Sequence, residues 1–73
     1  MFPDEILQVA EQVLKRCRGA ELQIVTAESC TGGLIAGCLT EISGSSDVVD
    51  RGFITYTNQA KHQMLGVPNS HFD

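Results

Sequence analysis

An acid, a serine, a thiol and two glycines stand together in Thr26-Ala27-Glu28-Ser29-Cys30-Thr31-Gly32-Gly33. An apolar run, Leu22 to Val25, leads into this stretch, and a helix-like run, Leu34 to Ile42, leads out. A strand-to-helix junction of that kind exposes backbone N–H groups at the helix N-terminus, where partial positive charge gathers and anions bind. A serine at such a corner can also be held clear of the sheet as a nucleophile. The other groups suited to chemistry are Thr31, Ser45, Ser46, Tyr56 and Lys61. Strand ends and helix starts in α/β proteins commonly share one crevice, so hydroxyl, phenol and amine are candidates for one site.

Lys61 falls in the first turn of a helix, where a cation opposes the dipole. Two readings compete. The side chain snorkels into solvent, or it enters the crevice as an uncharged base beside a serine, the arrangement of serine–lysine catalysts. Cys30 has no histidine near it in the sequence and reads as structural. The glycines lack the Gly-Lys-Ser/Thr of a P-loop and do not match the dinucleotide fingerprint. His62 and His71 are not at metal-ligand spacing from the cysteines, so neither metal nor cofactor is expected.

Five basic residues against nine acidic ones argue against a duplex nucleic-acid binder, which needs a basic face. No apolar run approaches the roughly 20 residues of a membrane span. Three cysteines without a Cys-x-x-Cys pair suit reduced thiols in the cytoplasm, with Cys17 and Cys38 in the core. A chain of 73 residues makes one domain at most. It buries only about 60% of its unfolded surface, so a homo-oligomer or part of a longer domain is expected.

The elements that must position the site follow from periodicity. Asp4 to Arg18 reads as an amphipathic helix, with Ile6, Val9, Ala10, Val13, Leu14 and Cys17 on one stripe and Gly19 as its stop. Leu22–Thr26 reads as a strand and Thr31–Ile42 as a second helix, whose Gly33 and Gly37 permit close packing on one side. Ser43 to Asp47 is a turn leading into a short helical piece. Gly52–Tyr56 reads as a second strand. Thr57 or Asn58 then caps a helix to Leu65, ended by Gly66 and Pro68. The order α-β-α-β-α, with some twenty residues between strands, predicts an α/β layer structure with a right-handed parallel crossover.

The ordered motifs Ala27-Glu28-Ser29-Cys30-Thr31-Gly32-Gly33, Gly44-Ser45-Ser46, Arg51-Gly52-Phe53-Ile54-Thr55-Tyr56-Thr57-Asn58-Gln59-Ala60-Lys61 and Met64-Leu65-Gly66-Val67 resemble the CinA C-terminal domain family. The resemblance covers about Glu11 to Pro68, corresponding to the N-terminal half of that domain. It implies a three-layer α/β/α sandwich and a cytoplasmic, metal-free amidohydrolase that converts nicotinamide mononucleotide to nicotinate mononucleotide and ammonia. The implied catalytic positions are Ser29, Ser46, Tyr56 and Lys61. Ser29 is the favoured nucleophile from its corner, with Ser46 as the substitute or a proton relay. Tyr56 is expected to orient the lysine or to donate toward the leaving ammonia. Glu28, Cys30, Thr31, Gly32, Gly33 and Ser45 are the expected substrate contacts, Glu28 also as a brace for the loop. The family implies further strands and a later Gly-Ile-Ala-Gly-Pro-like loop, which this sequence does not contain, so a partial domain is expected. A non-catalytic nucleotide-binding or competence-associated regulatory module is the alternative function.

Overall fold

The computed structural model describes residues 1–72. Helix α1, Asp4–Gly19, opens after Pro3 with Asp4 and Glu5 in its first turn and closes with Arg16 and Arg18 in its last, so both ends complement the helix dipole. The chain does not reverse at Gly19. The left-handed residue is Glu21, at φ 58°, and the Leu22 N–H returns to the Cys17 carbonyl at 2.8 Å. Strand β1 consequently runs Ile24–Glu28, two residues later than the apolar run suggests, and leaves Leu22 exposed. That shift makes Glu28 a strand residue whose side chain alternates to the covered face with Ile24 and Thr26.

Helix α2 spans Leu34–Glu41, shorter at both ends than the periodicity implies. A 3₁₀ turn, Ser45–Asp47, leads to strand β2, Val49–Ile54. Helix α3, Asn58–Leu65, is capped as its sequence predicts. Thr57 Oγ1 accepts from the Ala60 N–H at 3.0 Å, and Gly66 at φ 72° closes the far end. A second 3₁₀ turn covers Asn69–His71.

The strands pair in parallel, Ile24 with Val49 and Glu28 with Ile54, with an irregularity after Ile24. Helices α1 and α2 pack together over one side of this pair. Their common core is Ala10, Leu14, Cys38, Leu39 and Val48, with Cys17, Ile24, Ile42 and Val49 partly buried around it. Arg18 clamps the rear of this layer. Its guanidinium donates to both carboxylate oxygens of Asp47, at 2.7 and 2.8 Å, and to the Gly44 carbonyl at 3.3 Å. The aspartate's hydrogen bond holds the Arg18 pKa above its usual value and the Asp47 pKa below its own. Helix α3 contributes no buried residue. No helix among the described residues is long and apolar enough to cross a membrane.

Leu14, 1% exposed, is the centre of the core. Leu14→Ala is expected to lower stability by about 2–5 kcal/mol in urea unfolding. A loss within experimental error of zero would place the core elsewhere. Thr26 Oγ1 is a buried hydroxyl without a partner among the described residues, opposite Gly52. Thr26→Val keeps the shape and removes the unmet group, so a gain of about 1 kcal/mol is expected by the same measurement. A loss of that size would reveal a hydrogen bond to the hydroxyl.

Candidate functional site

Parallel pairing sorts the candidate residues by sheet edge. Both strands end together, at Glu28 and Ile54. The β1–α2 loop, with Ser29 to Gly33, and the β2–α3 connection, with Tyr56 and Lys61 beyond it, therefore leave from one edge. Ser45 and Ser46 precede β2, and Val48 bonds the start of β1 through its carbonyl to the Ile24 N–H at 2.7 Å. They stand at the other edge, on the order of 15 Å away at about 3.3 Å per strand residue. Within one chain, topology puts the connections that carry Ser29 and Tyr56 at one end of the strand pair, with Lys61 in the helix that follows, and Ser45 and Ser46 at the other end. Ser45 is buried, 7% exposed, whereas Ser46 is open to solvent.

Glu28 organises the loop. Its side chain is 4% exposed and accepts three hydrogen bonds: from Thr31 Oγ1 at 2.7 Å, the Ile35 N–H at 2.9 Å and the Ala36 N–H at 2.9 Å. Desolvation pushes its pKa upward. The bonds from Ala36, Thr31 and Ile35 outweigh that and hold the carboxyl below the ordinary range, as an anion. The start of α2 is thus already satisfied, since Leu34 N–H donates to the Thr31 carbonyl and Gly37 N–H to the Gly33 carbonyl. The expectation of open donors at this helix terminus is corrected. A carboxylate from the preceding strand fills the anion seat because strand alternation aims it there. Glu28 faces the chain's own donors, and Thr31 is spent on it.

The unclaimed donors lie one step earlier. The N–H groups of Cys30, Thr31, Gly32 and Gly33 donate to no acceptor among the described residues. Cys30, Gly32 and Gly33 all have positive φ, at 74°, 63° and 90°. Successive N–H groups in such a mixed-handed turn form a concavity that suits an anion. Gly33 suits its φ of 90°, and a Cβ there would displace only the exposed tip of the Ile54 side chain, at 2.7 Å. Gly37 has only ordinary contact with Phe2. The strain at Cys30 is the element that residue types did not disclose, since a cysteine seldom adopts this conformation.

Ser29 is partly buried and its Oγ lies 3.7 Å from Cys30 Sγ. Behind it, Thr55 ties the two strand ends together: its N–H and Oγ1 both donate to the Glu28 carbonyl, at 2.8 and 3.2 Å. Thr55 is 1% exposed and had no distinguishing signal beyond its place at a strand end. Tyr56 is 76% exposed. Lys61 is partly buried in the first turn of α3, and its side chain makes no hydrogen bond or ion pair among the described residues. His62 is exposed, and its Nδ1 lies 2.9 Å from the Val67 carbonyl. No three His, Cys, Asp or Glu side chains gather as a metal-ligand set among the described residues.

Because the Glu28 pKa is lowered, the stability it confers is complete above about pH 4.5 and is lost as pH falls through the lowered value. Glu28→Gln offers an amide N–H₂ where the helix supplies donors, so it should be less stable than the parent at pH 7. That deficit should shrink in acid, with Asp47 retaining its own share of the acid sensitivity. Denaturant unfolding across pH checks this. A deficit that stays constant into strong acid would mean that Glu28 carries no charge in the fold.

Residues 6–73 match the CinA C-terminal domain family. The nicotinamide-nucleotide amidohydrolase PncC of Escherichia coli K12 is 48% identical over 92% of this chain and 41% of its own length. A CinA-like protein of Colwellia psychrerythraea is 49% identical over 96% of this chain and 16% of its own. The crystal structure of the competence/damage inducible protein CihA from Agrobacterium tumefaciens superposes with a TM-score of 0.92 at 57% identity, covering 96% of this chain and 42% of that one. The chain therefore spans about two fifths of the length of the amidohydrolase it matches. With its match over residues 6–73 and an α-β-α-β-α order that superposes closely on that structure, this chain belongs to the CinA C-terminal domain family.

Proposed function

We propose that this chain carries the nucleophile-bearing edge of a metal-free amidohydrolase that converts nicotinamide mononucleotide to nicotinate mononucleotide and ammonia, in pyridine nucleotide recycling in the cytoplasm. The observation that carries the reading is the β1–α2 loop: a serine followed by four unclaimed backbone N–H groups, on the edge shared with Tyr56 and Lys61. The similarity to PncC supplies the substrate class.

Ser29 Oγ attacks the carboxamide carbon, and its proton passes to the Lys61 amine. The new O–C bond turns the carbonyl oxygen into an oxyanion. The N–H of Cys30, the residue after the nucleophile, is its first donor, joined by another from the same loop. One such donor is worth about 2.7–4 kcal/mol in the transition state. The C–N bond then breaks, and the nitrogen leaves as ammonia after taking a proton from Lys61 or through the Tyr56 phenol. Water, deprotonated by the same amine, hydrolyses the acyl-serine and restores the enzyme. Glu28 acts as a positioning residue, because its anion holds Thr31 and the start of α2. Its charge also opposes a phosphate dianion more strongly than a singly charged oxyanion. The loop is therefore assigned to the oxyanion, not to the ribose phosphate.

Ammonia release from nicotinamide mononucleotide tests the reading on the protein as it exists. Ser29→Ala and Lys61→Ala are expected to lower kcat by at least about 10²-fold. Ser46→Ala, at the other edge, should remain within a few-fold of the parent. Loss of activity in Ser46→Ala with retention in Ser29→Ala would reverse the assignment. Nucleotide binding without turnover would favour the binding-module alternative.

A further inference from the structure

At the functional end of the strand pair, the hydroxyl of Thr55 has no part in the chemistry described above. Thr55 is 1% exposed and lies one residue beyond β2. Its N–H continues the parallel ladder and donates to the Glu28 carbonyl at 2.8 Å. That bond alone satisfies the carbonyl. Thr55 Oγ1 nevertheless donates to the same oxygen, at 3.2 Å. The carbonyl therefore accepts as many hydrogen bonds as it has lone pairs.

This oxygen belongs to the planar peptide unit that joins Glu28 to Ser29. One donor lets such a plane rock about the bond. A second donor, reaching from the other strand, restrains it. Ser29 is the first residue outside β1, so the plane on its N-terminal side is its anchor. On its other side Cys30 is left-handed, at φ 74°. The direction of the Ser29 Cα–Cβ bond is thus set between a clamped peptide and a strained residue. A nucleophile depends on that direction, since a misplacement of about 1 Å can cost on the order of 10²-fold in rate. We propose that the Thr55 hydroxyl is a positioning group for Ser29, acting through the shared Glu28 carbonyl. This role rests on Ser29 as the proposed nucleophile. It uses no open surface of the chain, because Thr55 and Glu28 are both buried within it.

Thr55→Val and Thr55→Ser test the role, because they separate the hydroxyl from the packing. Valine keeps the buried shape, and the Glu28 carbonyl keeps its bond from the backbone N–H, so no buried group is orphaned. Serine keeps the hydroxyl and loses a buried methyl, so it should have the lower urea midpoint of the two. Activity should run the other way. With nicotinamide mononucleotide, Thr55→Val should lower kcat about tenfold or more at nearly unchanged KM. Thr55→Ser should stay within a few-fold of the parent. A purely structural role predicts the reverse order, with activity following the urea midpoint. Nitrogen-15 relaxation gives a reading that needs no turnover. The amide order parameters of Ser29 and Cys30 should fall in Thr55→Val and recover in Thr55→Ser. Activities that follow stability, a Thr55→Val protein as fast as the parent, or order parameters indifferent to the hydroxyl would each overturn the inference. Loss of turnover in Ser29→Ala beside full turnover in Thr55→Val would overturn it while leaving the nucleophile in place. Full turnover in Ser29→Ala would overturn both together.

Discussion

The buried anion of Glu28 is the constraint on which the functional edge depends. One carboxylate gathers a hydroxyl and two helix N–H groups from a segment up to eight residues ahead. This fixes where α2 begins and therefore how far the loop before it must travel. A helix that starts at Leu34 rather than Thr31 leaves Cys30 to Gly33 outside any regular structure. Their N–H groups stay free because the helix needs nothing further from them. The arrangement binds a negative charge internally and sets out separate donors beside it. Such donors are oriented before any ligand arrives, which is the condition under which fixed dipoles contribute most to a reaction.

The sheet supplies the second constraint. Parallel strands place both outgoing connections at one edge and the returning connection at the other, whatever the loops contain. Thr55 reinforces this geometry by bonding the last carbonyl of β1, so the two outgoing loops start from one fixed point. Arg18 and Asp47 perform the equivalent closure at the opposite edge, between the end of α1 and the turn that holds Ser46. A serine in that turn is separated from Ser29 by the length of a strand, and side-chain flexibility cannot span it.

Much of this was legible before any coordinates. Apolar spacing gave α1, the cap at Thr57 or Asn58 and the stop at Gly66 gave α3, and the linker between strands implied the parallel crossover. The limits of β2 were not legible, since it runs Val49–Ile54 rather than Gly52–Tyr56; nor were those of β1 and α2, for one shared reason. Helix periodicity and strand preference are local, whereas the end of β1 and the start of α2 are decided by a tertiary bond from Glu28. Leu22 looked like strand because it is apolar, yet the chain is still turning there with Glu21 left-handed. Ser29 at the corner was readable from the acid, the serine and the glycine pair. The positive φ of Cys30 was not, since no residue type announces it at a cysteine. Ser46 lies in the turn before β2, at the opposite end of the strand pair from Ser29.

The apolar surfaces follow from the same architecture. A parallel strand pair covered on one side by two helices can enclose only a narrow core, here five buried apolar residues among the described ones. Side chains on the outer flank of α1 and the first turn of α2 remain open because the bond from Glu28 sets where α2 begins. Leu34 and Ile35 are thus both the residues that follow the donor loop and part of the wall of an apolar groove between α1 and α2. Covering that wall would restrain the start of α2 and, through Ile35 and Glu28, the loop that presents Ser29. Anything that covers the wall would therefore act on the loop through one helix turn and one carboxylate.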